Sequence, residues 1–134
     1  MTIPHFEIRT LEHVPTTGRN VIFNVWTAPV HHVALYQSPL DTVGGNHYHP
    51  DSTEITFLVS GLYELVVQHR RLSSPPEKHI IKPGQLVIIG PNIGHALHYL
   101  EHSVMIGLSD KPKRTEEYKQ NTIPLEIKLI EPMF

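Results

Sequence analysis

The segment Gly44-Gly45-Asn46-His47-Tyr48-His49-Pro50-Asp51-Ser52-Thr53-Glu54, followed by Gly61, holds the side chains best suited to chemistry. In an extended strand, side chains two residues apart point to the same face, ~6–7 Å apart along the chain. His47 and His49 therefore project together, and Tyr48 between them faces away. Two imidazoles so placed can grip one ion. A turn of four residues then leads to Glu54, whose carboxylate can complete a half-shell. Neutral imidazole suits Zn, Cu, Fe and Ni, and a carboxylate extends the range to Mn. A second segment, Pro83 to His98, reads as a strand, a tight turn at Gly90-Pro91-Asn92 and a returning strand that starts near His95. Such a hairpin sets His95 at a strand mouth, from which it can reach the first cluster in a closed barrel.

These residues need strands to position them, and the chain supplies little else. Helical periodicity is almost absent. Short runs rich in β-branched and aromatic residues are separated by Gly, Pro, Asn and Ser clusters, the pattern of an all-β protein. The expected strands are Val21–Thr27, His32–Gln37, Glu54–Ser60, Leu62–His69, His79–Ile81, Gln85–Ile89, Ala96–Leu100 and Val104–Leu108, with Val43–Asn46 read as a turn. Short strands at this spacing predict a sandwich or a barrel. Pro112–Gln120 predicts one short helix, with Pro at its entry and Glu ahead of Lys, and Leu125–Ile130 predicts a further alternating strand. The chain then divides into an N-terminal arm (1–20), too irregular for a core strand, a barrel (21–110) and a C-terminal helix and strand (111–134) packed on the barrel or on a second subunit.

Composition narrows the classes. The 134 residues suit a single domain, and 40% hydrophobic against 18% charged residues leave enough apolar surface for a core. A net charge of −2 gives no electrostatic footprint for nucleic acid. The absence of cysteine excludes a disulfide scaffold, a thiolate metal site and a cysteine nucleophile. The eleven histidines equal the lysines and arginines together, so imidazole chemistry is expected. The stretch Met1–Glu7 has neither a basic region nor an apolar run, so no signal peptide is expected. Apolar stretches such as Leu86–Ile89 fall far short of the ~20 residues of a membrane helix, and the expected location is cytoplasmic with no membrane partner.

Between Val33 and Leu108 the sequence resembles the cupin superfamily, in particular its small single-domain, RmlC-like members with a three-His, one-Glu metal motif. His47, His49, Glu54 and Gly61 stand at the spacing of the first family motif, with Asp41 in place of its leading Gly. Gly84 and His95 match the second motif, while its Pro, Gly and Asn positions hold Gly90, Asn92 and Tyr99. The departures fall on turn residues, where Asn can replace Gly in the left-handed conformation. The resemblance implies a cupin-type double-stranded β-helix, or jelly-roll barrel, often a homodimer. It implies one divalent metal ion (Fe, Mn, Ni or Zn) on His47, His49, Glu54 and His95.

The superfamily includes dioxygenases, isomerases, lyases and proteins without catalysis, so the fold alone names no reaction. Its metal-free nucleotide-sugar epimerases use other residues, and the full ligand set argues against them. The leading expectation is a mononuclear metalloenzyme acting on a small oxygen-bearing molecule, such as a carbohydrate or carboxylate, that chelates the ion. Thr56 shares a face with Glu54 and is expected to line the pocket, and Tyr99 or a pocket histidine is expected to move protons. The alternative is a metal-holding cupin that binds or senses a small ligand without turning it over. Lys111–Arg114 reads as a solvated charged face, and strand alternation turns His98 away from His95.

Overall fold

The computed structural model describes residues 5–16, 18–71, 73 and 75–132. The first four residues and Thr17 of the expected arm, and the last two residues of the C-terminal segment, lie outside these. The strands are β1 (Phe6–Thr10), β2 (Glu12–Val14), β3 (Ile22–Asn24), β4 (His32–Ser38), β5 (Val43–Tyr48), β6 (Glu54–Ser60), β7 (Tyr63–His69), β8 (Glu77–Ile81), β9 (Gln85–Ile89), β10 (Ile93–Tyr99), β11 (Ser103–Ser109) and β12 (Ile123–Pro124). One helix, α1 (Thr115–Gln120), precedes β12. Two five-stranded sheets form, in the orders β1-β9-β6-β11-β4 and β12-β5-β10-β7-β8, beside a two-stranded ribbon of β2 and β3. Among the described residues no helix is long and apolar enough to cross a membrane.

The core lies between the two sheets, and period-two alternation selects what enters it. Tyr63, Leu65 and Val67 from β7 meet Ile93, Leu97 and Tyr99 from β10, Val87 and Ile89 from β9, Leu58 from β6 and Met105 from β11. His95 has the parity of Ile93 and Leu97, and Glu54 and Thr56 have the parity of Leu58, so the chemistry-bearing residues point inward with the core. This is the all-β jelly-roll barrel of the cupin type.

Four local expectations are corrected. Phe6–Thr10 is a strand of the barrel, pairing from Phe6↔Ile89 to Thr10↔Gln85, with Phe6 and Ile8 against the core. Its alternation of apolar and polar residues suits that edge position. Val21–Thr27 forms a strand only over Ile22–Asn24. Val43–Asn46 is not a turn but part of β5, which pairs with β10. Leu125–Ile130 is no strand, because its backbone groups are taken by Asn46. Leu125 N–H donates to the Asn46 carbonyl at 2.9 Å, and Leu129 and Ile130 N–H groups donate to Asn46 Oδ1 at 2.9 and 3.2 Å.

Asn46 is also the odd residue of a bulge. His95 pairs with His47 but Ala96 pairs with Gly45, so one extra residue of β5 is looped out between them. Gly45 and Asn46 have φ of 79° and 58° there. A Cβ on Gly45 would lie 2.7 Å from the His95 carbonyl oxygen, so the close approach requires glycine at this position. Gly45→Ala is expected to lower stability by about 1–3 kcal/mol through backbone strain, as read from chemical denaturation. Gly18→Ala, where an added Cβ meets nothing within 4 Å, is expected to stay within about 0.5 kcal/mol of the parent.

Candidate active site

The bulge sets the spacing of the histidines. By reversing the local phase of β5, it puts His47 directly opposite His95, and the chain turns out of the strand at His49. The His47 ring lies 4.9 Å from that of His49 and 4.8 Å from that of His95, and the His49 and His95 centroids are 5.5 Å apart. One nitrogen of each of the three lies within 4.8 Å of the others. His49 and His95 are buried and His47 is partly so.

Backbone carbonyls orient two of the rings. His95 Nδ1 is 3.0 Å from the Ile93 carbonyl, and His49 Nδ1 is 2.7 Å from the Asn121 carbonyl. A carbonyl oxygen only accepts, so each Nδ1 carries the proton and each Nε2 keeps a lone pair. The protein environment keeps these rings neutral. Burial holds His95 down to about 3, helped by His47. Burial, then His49 and Lys113, holds His47 down to about 4. Burial also lowers His49, opposed first by the hydrogen bond to the Asn121 carbonyl and then by Glu54, whose carboxylate lies 3.6 Å from His49 Nε2.

His47, His49, Glu54, Thr56, His95 and Tyr99 all line one cavity of about 240 Å³ between the sheets. Thr56 hydrogen-bonds the Tyr63 phenol at its floor. Burial raises the Tyr99 phenol, so Tyr99 keeps its proton, although its bond with Ser38 opposes the shift. His98 faces away and meets Asp41 Oδ1 at 3.1 Å. Three residues that the sequence did not single out as site residues belong to this cavity or its frame. Lys113, in the stretch read as solvated, reaches inward, and its ammonium lies 2.8 Å from Glu54 Oε2, both side chains being almost buried. Tyr118 on α1 lines the mouth, and Asn121 at the end of α1 holds His49. Nothing in a Lys-Pro-Lys-Arg run singles out the lysine that turns in.

No family model matches this sequence, and a search of curated proteins finds none that matches it. Many solved structures are similar in fold. The sugar 3,4-ketoisomerase QdtA from Thermoanaerobacterium thermosaccharolyticum, in complex with TDP, aligns over 93% of this chain and 91% of its own at 10% identity and a TM-score of 0.74. The TDP-fucose-3,4-ketoisomerase WlaRA from Campylobacter jejuni aligns over 88% of this chain and 87% of its own at 12% identity and a TM-score of 0.73. The rmlC epimerase of Mycobacterium tuberculosis aligns over 91% of this chain and 69% of its own at 17% identity and a TM-score of 0.73. At these identities the likeness establishes the RmlC-like cupin fold.

The three-His, one-Glu metal centre, and with it the divalent cofactor and the metalloenzyme, is corrected. The similar structures are sugar ketoisomerases and epimerases, the class that the full ligand set had argued against. The donor set also does not fit a four-ligand ion. Only His47, His49 and His95 converge, while Glu54 is engaged by the Lys113 ammonium, whose charge acts on all three imidazoles and would repel a dication. The His-x-His and Glu spacing is common to both outcomes, and a distant lysine decides between them.

Keeping these imidazoles neutral has a consequence for stability. His47 and His95 are held at about 4 and about 3, below their ordinary 6.5, so in mild acid the unfolded chain takes up protons that the folded chain refuses. Stability is full above about pH 6.5 and falls as pH drops toward the folded values, each histidine adding a slope of up to ~1.4 kcal/mol per pH unit. Urea denaturation from about pH 7 to about pH 5 should show this fall, and His95→Gln should flatten it. A curve that is level or rises in acid would overturn the reading.

Proposed function

We propose that this chain is an isomerase or epimerase of a keto sugar carried on a nucleotide, working by metal-free proton transfer. The observation that carries the reading is one neutral imidazole, His49, facing both the cavity between the sheets and a carboxylate. A base next to a carbonyl must accept a proton at near-neutral pH. His95 and His47 are too weakly basic for this. His49 alone has a carboxylate 3.6 Å from Nε2 to stabilise its imidazolium.

In this mechanism His49 Nε2 takes the proton from the carbon beside the substrate carbonyl, and the C–H electron pair forms an enolate. The buried Tyr99 phenol donates its proton to the carbonyl oxygen. Lys113 supplies fixed positive charge beside the developing oxyanion. Returning the proton from His49 to the former carbonyl carbon, while the hydroxyl on the deprotonated carbon gives its O–H proton to the Tyr99 phenolate, moves the carbonyl. Taking a proton from water on the opposite face of the deprotonated carbon, while the enol O–H proton returns to Tyr99 and His49 releases its proton to solvent, inverts that centre. Neither outcome consumes an oxidant or a reductant. Thr56 and Tyr63 bound the ring pocket as polar groups. The cavity, about 240 Å³, is below the ~300–1,000 Å³ of pockets for drug-sized ligands, which suits one sugar ring with the nucleotide lying outside. The fold likeness to sugar ketoisomerases and epimerases supports this substrate class.

The test is incubation with nucleotide-linked keto sugars in deuterated water, followed by NMR. The expected result is a moved carbonyl or an inverted centre with deuterium incorporated. His49→Gln should lower kcat by ~100-fold or more, and Tyr99→Phe by a similar factor. Exhaustive chelation should leave the rate unchanged. Loss of turnover on chelation, restored by a metal, would overturn the mechanism.

We also propose that the chain forms a homodimer. The outer face of the β4–β11–β6 sheet is aliphatic: Val33 and Leu35 are 64% and 65% exposed and lie beside Leu108 and Ile106, and Val59 on β6 is 46% exposed. A patch of this kind is covered at least cost by a second copy of itself. Light scattering should give twice the chain mass, and Leu35→Glu should return the monomer mass.

A further inference from the structure

The His49 ring is held from outside the two segments that supply the histidines. Its Nδ1 meets the Asn121 carbonyl at 2.7 Å, and Thr122 Oγ1 lies 3.4 Å from the same nitrogen. Asn121 is not a passing loop residue. Its own N–H donates to the Glu117 carbonyl at 3.0 Å, closing the last turn of α1 at φ −106° and ψ 17°. Its side-chain Oδ1 accepts the Asp51 N–H at 2.9 Å, two residues beyond His49. One residue thus grips the loop after β5 twice, once at the imidazole and once at the backbone that follows. The backbone of His49 is fixed as well, since its carbonyl accepts the Asn92 N–H at 2.9 Å. Among the described residues, only the Asn121 carbonyl offers His49 a normal hydrogen-bond distance and a pure acceptor together, so it decides which ring nitrogen holds the proton.

We infer that Asn121 is a positioning residue: its side chain docks the end of α1 onto the Asp51 backbone so that its carbonyl locks His49 in the Nδ1–H tautomer, with the Nε2 lone pair turned to the cavity. The inference rests on the reading of His49 as the proton-transfer base, and it gives that base its orientation. Without the Asp51 contact the Asn121 carbonyl loses its register, and Nε2 can take the proton and donate it to Glu54, 3.6 Å away. A ring in that state has no lone pair for a substrate.

The test reads the ring itself and does not depend on turnover. In 15N-labelled protein, long-range 15N–1H spectra at neutral pH distinguish protonated from unprotonated ring nitrogens, with His49→Gln used only to assign the His49 signals. The wild-type chain should show His49 Nδ1 protonated and Nε2 at the position of an unprotonated nitrogen. Asn121→Ala should lose this signature and shift the His49 nitrogens toward a mixture of tautomers, and Asn121→Asp, which keeps the side-chain oxygen, should restore it. A wild-type His49 that is Nε2–H or doubly protonated would overturn the inference, even if the alanine variant failed to fold. An Asn121→Ala spectrum identical to wild type would overturn it too. The Nδ1–H signature in a chain that turns over no keto sugar would leave the inference standing and remove the isomerase reading.

Discussion

Asn46 accounts for more of this structure than any residue of the cavity. It is the extra residue of the β5 bulge, held at φ 58°, where asparagine is better tolerated than most side chains. Its carbonyl, its Oδ1 and its Nδ2 are all spent on the C-terminal segment, the last by donating to the Ile130 carbonyl at 2.9 Å. The same looped-out residue therefore aligns His47 with His95 and anchors the chain that follows α1. Partly buried amide groups that satisfy several backbone donors and acceptors at once leave few alternative arrangements. The ladder between β5 and β10 and the path of the C-terminal segment are thus parts of one constraint.

The segment between β11 and β12 brings Lys113 and Asn121 to the histidines, and charge then determines what chemistry is open to them. Three neutral imidazoles and a free carboxylate would form a ligand shell for a divalent cation. Three neutral imidazoles and a carboxylate already paired with an ammonium form a site of balanced charge, in which an added dication meets repulsion inside a poorly screened interior. The same pairing suits a substrate that develops negative charge on oxygen while a proton moves to nitrogen. The carboxylate lies toward the base, and the ammonium remains available to the oxyanion.

The barrel was legible from sequence because its signals are local. Alternation in Glu54–Ser60 and Gln85–Ile89 marks strands with the same bounds in the structure, and the parity of Glu54, Thr56 and His95 with core residues follows from it. The departure at Asn92 was legible too: standing where the second resembled motif has glycine, it adopts φ of 63°, whereas Asp41, at the leading glycine of the first, takes φ of 68° unanticipated. The bulge was not, since Val43-Gly44-Gly45-Asn46 carries turn composition and only the pairing with β10 shows it to be a strand. Nor were the partners of the histidines, because Lys113 and Asn121 lie 59 and 72 positions beyond Glu54 and His49 and reach them only through tertiary packing. Sequence spacing can group residues on one strand or hairpin. It carries no information on which distant charge will neutralise them, and here that charge is the Lys113 ammonium on Glu54.

The three imidazoles share one cavity yet cannot share one role, and the difference comes from what each can meet when protonated. His95 lies between β5 and β7 on either side of its strand and is buried, so the Ile93 carbonyl would meet its cation while His47, His49 and the ammonium of Lys113 would oppose it. His47 is under the same unfavourable influences, somewhat relieved by partial exposure. His49 leaves the sheet at the end of β5 and so comes within reach of Glu54, on the first residue of the opposite sheet's β6. Environments that push like groups apart in basicity are how one site separates its proton acceptor from its polar frame. In the proposed mechanism His47 and His95 are neutral walls that shape the pocket. The same proposal rests its base on His49 because this ring stands at a strand end between a fixed carbonyl and a carboxylate.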